Sequence, residues 1–145
     1  MARMRMISVR QPWASAILAD GPNRKNVENR SYRARPGWLG IHASSIPSTR
    51  EDFEQAILLF GPDTEFELGV FLGAVWLVES VPMEDLDEEE YPWAWGPWCW
   101  ILEHPIRAQD AEKVRLRGNV GFWTAEVPDS FLRRLEAYSR KHKLA

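Results

Sequence analysis

The chain has one cysteine, Cys99, which excludes an internal disulfide framework and fits a reducing compartment. Its three histidines bring no second His or any Cys to metal-ligand spacing, so no zinc site is expected, and no cofactor is implied. A phosphate loop is missing too, since Gly118-Asn119-Val120-Gly121 lacks the helix and the lysine that a P-loop requires. The longest apolar run, Gly69 to Glu79, falls well short of the roughly 20 residues of a membrane helix. The stretch Met1 to Ile7 alternates Arg and Met and has no signal-peptide apolar core. Repeats, low-complexity tracts and linkers are absent. These absences predict an intracellular, soluble, cytoplasmic protein without a membrane partner, folded as one domain over 1–145.

What is present is unevenly charged. The net charge of −3 hides eight Lys/Arg in residues 1–36 against only Asp20 and Glu28. Six acids occupy seven positions at 84–90. Salt screens charges beyond about 8–10 Å, so local charge governs ligand steering, and the basic first third can meet phosphates despite an acidic pI. Both runs also have an ordinary account as solvated surface.

Hydrophobic periodicity and turn chemistry predict short strands at Arg5 to Arg10, Asn26 to Ser31, Trp38 to Ser44, Gly69 to Glu79, Trp98 to Glu103 and Val120 to Val127. The run from Gly69 reads as a central strand buried on both faces, and Pro105 as the start of a loop or edge strand. A helix is expected over Gln11 to Gly21, with Pro12 in its first turn. A second is expected from a Ser48/Glu51 capping box to about Phe60, and a third after Asp129 or Ser130. Residues 82–97 form a long connection. Five or six strands with outer helices predict an α+β fold, a small mixed β-barrel.

Three clusters carry possible chemistry. On the Asn26 to Ser31 strand, period-two geometry turns Glu28 and Arg30 to one face, while Lys25 sits at the preceding turn. Arg can grip a phosphate bidentately, Lys acts as a mobile point charge, and Glu28 can read a base edge or serve as a general base. A plain Glu/Arg ion pair is the alternative. Trp93 and Trp95 lie in the Pro/Gly-flanked connection, where a ring can stack on a base, although large aromatics mostly fill cores. His42 is either a base-binding or catalytic group, or a hydrogen-bonded core residue. Arg115 and Arg117 add a late basic patch.

In order along the chain come Ser8-x-Arg10-Gln11-Pro12-Trp13-Ala14, Lys25-x-x-Glu28-x-Arg30, Ile41-His42-Ala43, Gly73-Ala74-Val75-Trp76-Leu77, Trp100-Ile101-Leu102-Glu103-x-Pro105 and Gly118-x-x-Gly121-Phe122-Trp123. In this order and spacing, over nearly the whole chain, the sequence resembles the ASCH (activating signal cointegrator homology) domains of the PUA-like superfamily. The resemblance implies a PUA-like barrel with a cleft at the Lys-x-x-Glu-x-Arg strand that engages RNA or nucleotides. Lys25, Glu28 and Arg30 are its expected site, with Arg10, Trp13 and His42 nearby. Some members are reported as nucleases. One branch hydrolyses the acetyl amide of N4-acetylcytidine with a Lys-x-x-Thr motif and a distant Glu, the Thr acting as nucleophile. Glu28 stands where that Thr would be, so the threonine nucleophile is missing.

Three functions follow. The first is a nucleic-acid-binding domain for RNA, single-stranded nucleic acid or a nucleotide-like small molecule, using Arg10, Trp13, Lys25, Glu28, Arg30, His42, Trp93, Trp95 and Arg117. The second is a metal-independent hydrolase, a ribonuclease or modified-nucleoside amidohydrolase, with Lys25 and Glu28 as catalytic acid/base partners. The third is an interaction domain whose acidic 84–90 segment binds a protein partner.

Overall fold

The structure, a computed structural model, describes residues 2–144. Six strands form one curled mixed sheet, a half-barrel, with three α-helices: an α+β fold. The strands are β1 (Ala2–Val9), β2 (Val27–Arg30), β3 (Gly37–Ala43), β4 (Phe71–Pro82), β5 (Trp98–Arg107) and β6 (Trp123–Val127), ordered β2-β5-β4-β3-β1-β6. Among the described residues only the β1/β3 pair is parallel. The helices are α1 (Trp13–Ile17), α2 (Arg50–Phe60) and α3 (Asp129–His142). No helix among the described residues is long and apolar enough to cross a membrane.

Strand alternation splits the core between the two faces of the sheet. Ile7 and Val9 of β1 pack with Leu39, Ile41, Val75, Leu77, Trp100 and Leu102 beneath α1, through Ala14 and Ile17. Met4 and Met6, of opposite parity, pack with Phe71, Ala74 and the α3 residues Phe131 and Leu135. Phe71 and Phe131 meet edge to face at 4.9 Å. Each face is thus sealed by a helix, as expected for a strand buried on both sides such as β4.

Several elements differ from the sequence expectation. Helix α1 is shorter, ending at Ile17, and the Ala16 carbonyl near its end accepts both the Ala19 amide at 3.4 Å and the Lys25 amide at 3.0 Å. Thr49, not Ser48, caps α2 by accepting the Asp52 amide, and the Ser48 hydroxyl donates to the Asp52 carboxylate. Strand β5 runs on through Pro105 to Arg107. Its partner β2 reaches only as far as Ile101, so Pro105 falls on an open edge where no ladder donor is needed. Strand β6 begins at Trp123, since Val120 belongs to an exposed turn. Ser130, considered for the α3 cap, donates instead to buried Glu112, which also receives Arg134.

The curl is concentrated in β4, whose register with β5 shifts between Ala74 and Trp76 and between Leu77 and Glu79. Gly73 has φ of +147° and lies so close to β5 that a Cβ would stand 2.2 Å from the Ile106 carbonyl oxygen. That oxygen is backbone and cannot swing away. Gly73→Ala is therefore expected to lose at least about 2 kcal/mol of stability, read as a lower urea midpoint with unchanged slope.

Candidate nucleic-acid interface

Strand β2 pairs antiparallel with β5, which sets Glu28 opposite Trp100 and Arg30 opposite Trp98. Glu28 is buried, and both carboxylate oxygens are occupied. Lys25 Nζ donates to Oε1 at 2.9 Å, while Arg30 Nε donates to Oε2 at 2.9 Å with its Nη2 2.7 Å from the same oxygen. Lys25 is buried as well and also donates to the Val27 carbonyl. Arg30 reaches the Ser8 carbonyl at 3.3 Å and lies 5.7 Å from the centre of the Trp100 ring.

Burial opposes the charge of Glu28, but Lys25 and then Arg30 outweigh it and hold the carboxyl below its ordinary value of 4.5. Glu28 is ionised at neutral pH, and two cations share its one negative charge. The three groups therefore carry a net positive charge into the cleft.

The concavity above them measures about 380 Å³ and is lined by Ser8, Val9, Arg10, Trp13, Lys25, Glu28, Asn29, Arg30, Trp93 and Trp95. Seven residues singled out from sequence thus share one cleft: Arg10, Trp13, Lys25, Glu28, Arg30, Trp93 and Trp95. The Arg10 side chain is exposed, with no hydrogen-bond or ion-pair partner among the described residues. Trp13 meets Trp93 edge to face at 5.4 Å, and its Nε1 is fixed by Asp52 of α2 at 3.2 Å. Trp95 is 70% exposed.

Two expected residues lie elsewhere. His42 is buried, with both ring nitrogens engaged by the Ser8 hydroxyl at 2.9 Å and the Leu116 carbonyl at 2.7 Å. The carbonyl can only accept, so Nε2 carries the proton and Nδ1 accepts from Ser8. Burial lowers the His42 pKa against the opposing Leu116 bond, which keeps the ring neutral and internal. Arg117 is exposed outside the cleft, but its neighbour Gly118 packs directly on Ser8 of the cleft wall.

Asn29 was not singled out from sequence. Its Oδ1 accepts the amides of Trp95 at 2.8 Å and Gly96 at 3.0 Å, and its Nδ2 donates to the Trp93 carbonyl at 3.0 Å. The long connection is thereby fastened to β2. Asn is depleted in strands, and its place inside one was the available signal. A larger concavity of about 560 Å³ lies between α1, the end of α2 and the start of β4. Its Lys113 is paired with Glu67 and its Arg107 with Asp20, so neither of its cations is free for an anionic ligand. No group of three or more His, Cys, Asp or Glu among the described residues is arranged to hold a metal ion.

No protein-family model matches this chain, and no curated protein matches it in sequence.

Glu28→Gln leaves Lys25 and Arg30 without their counter-charge and is expected to lose about 3 kcal/mol, where an exposed pair would lose under about 1. The sign with pH follows from the lowered carboxyl. Its contribution is complete above pH 4.5 and is lost as pH falls from there through the folded-state value. Urea midpoints measured across this range should fall in the parent protein by a component missing from the variant. Asn29→Ala is expected to speed hydrogen exchange at the Trp95 and Gly96 amides while exchange in the β3/β4 ladder stays unchanged.

Proposed function

We propose that the protein is an ASCH-type, PUA-like domain that binds a nucleotide unit of RNA or single-stranded nucleic acid in the β2 cleft. The observation that carries this reading is the convergence of Arg10, Lys25 and Arg30 with Trp13, Trp93 and Trp95 on one concavity. Phosphates suit the cations, with Arg10 the side chain free to reach out for one. A base suits the tryptophans, where stacking is worth about 1–3 kcal/mol per base. Glu28 serves to aim the two cations, since both of its oxygens are already engaged by them.

The hydrolytic alternative would need Glu28 or Lys25 to exchange a proton. A carboxylate held below its ordinary range by two cations is a poor general acid or base near neutrality. Binding is therefore the better-supported function.

The test is fluorescence anisotropy with short single-stranded RNA and DNA over a range of salt. Affinity should fall linearly with log salt, and Arg10→Ala should reduce the slope by about 0.7, as for one phosphate contact on a single strand. Trp95→Ala should weaken binding by about tenfold, the effect of losing one stacked base, with the slope unchanged. Absence of binding at low salt, or binding indifferent to both substitutions, would sink the proposal.

A further inference from the structure

The acidic run at 84–90 is attached at both ends next to residues of the cleft, on the β2 side. Its start follows Met83, which packs against Gly96 so closely that a Cβ on Gly96 would stand 3.2 Å from the Met83 Cβ. Gly96 adjoins Trp95. The run ends at Glu90, whose carbonyl accepts from Asn26 Nδ2 at 3.3 Å, beside Lys25. Between these anchors the chain is held in a turn, in which Asp87 accepts the Glu89 and Glu90 amides through Oδ1 and the Tyr91 amide through its carbonyl. All six carboxylate residues are exposed, and none has a cationic partner among the described residues.

The β1 side of the cleft has the other sign. Arg10 stands there unpaired, and the segment carrying Arg115 and Arg117 rests on Ser8 through Gly118, where a Cβ would come within 2.6 Å of the Ser8 hydroxyl. A cleft of about 380 Å³ is near the lower end of the roughly 300–1,000 Å³ of small-ligand pockets. It has room for about one nucleotide. A strand continuing past the β2 side would bring its next phosphates up to the acidic run, whose carboxylates have no cationic partner among the described residues, and like charges repel within the Debye length of about 8 Å at physiological salt.

From this juxtaposition we infer that the cleft accepts only a terminal nucleotide, either a free mononucleotide or the end of a strand that leaves over the Arg10/Arg117 lip, and that the 84–90 carboxylates exclude through-running polynucleotide. This rests on the binding reading above. The acidic run then acts as an element of specificity, repelling the wrong form of a ligand that the cleft would otherwise hold. Strand ends and mononucleotides share the same recognised chemistry, one base with one phosphate and no continuation on the acidic side.

Three probes separate these cases: a mixed-sequence RNA of roughly 20 nucleotides as a linear strand, the same RNA ligated into a circle, and 5′-mononucleotides as competitors, at about 0.15 M salt. The linear strand should bind at least about tenfold more tightly than the circle, which has no end. Displacement by mononucleotides would assign the site to the nucleotide unit itself, and failure to displace would assign it to strand ends, both within the inference. The combined variant Glu88→Gln, Glu89→Gln and Glu90→Gln changes only exposed side chains and should bring the circle within about threefold of the linear strand. Arg117→Ala should weaken the linear strand and leave mononucleotide competition unchanged. Equal binding of circle and linear strand by the parent protein overturns the inference, as does a gap that persists in the neutralised variant; in either case linear binding that is still lost in Arg10→Ala leaves the binding function standing. No binding of any probe overturns both.

Discussion

The site depends on one buried carboxylate held between two cations. Glu28 is on the shortest strand of the sheet, and each of its oxygens takes a different partner. Without it, Lys25 would be a buried, uncompensated ammonium, and Arg30 would have no reason to lie back along β2 rather than in solvent. The arrangement converts an expensive burial of charge into fixed positions for two cations. The same pairing keeps Glu28 ionised, which suits it to hold the two cations rather than to transfer a proton.

The architecture around this pair divides labour between rigid and attached parts. The half-barrel supplies β5, whose Trp100 lies opposite Glu28 and beneath Arg30. Helix α1 supplies Trp13 and docks the backbone of Lys25 through the Ala16 carbonyl. Helix α2 reaches in with Asp52 to orient Trp13. The remaining aromatic residues come from a long connection that has little regular structure and is ordered by Asn29.

Much of this was legible in the sequence, for physical reasons that differ by element. Period-two alternation placed Glu28 and Arg30 on one strand face, and they pair there. The apolar run from Gly69 marked β4 as buried on both sides. Element ends were less legible, because they depend on tertiary bonds: the Lys25 amide docks at the end of α1, and the open edge beyond Ile101 lets β5 continue through Pro105. His42 was ambiguous because a neutral buried histidine and a ligand-binding one look alike until the partners of both nitrogens are known. Asn29 escaped notice because its role lies in bonds to residues more than sixty positions away.

The fastening of Trp93 and Trp95 to Asn29 makes β2 a gauge. Lys25 and Arg30, through Glu28, and the backbone of Trp93 and Trp95, through Asn29, are referenced to the same four residues, so the span between them is set by strand geometry, not by the length of the connection. Between Met83 and the Asn29 anchor, residues can be added or removed without altering that span. A lineage could therefore rewrite the outer lip, its charge and its reach while the inner measure of the cleft stays the same.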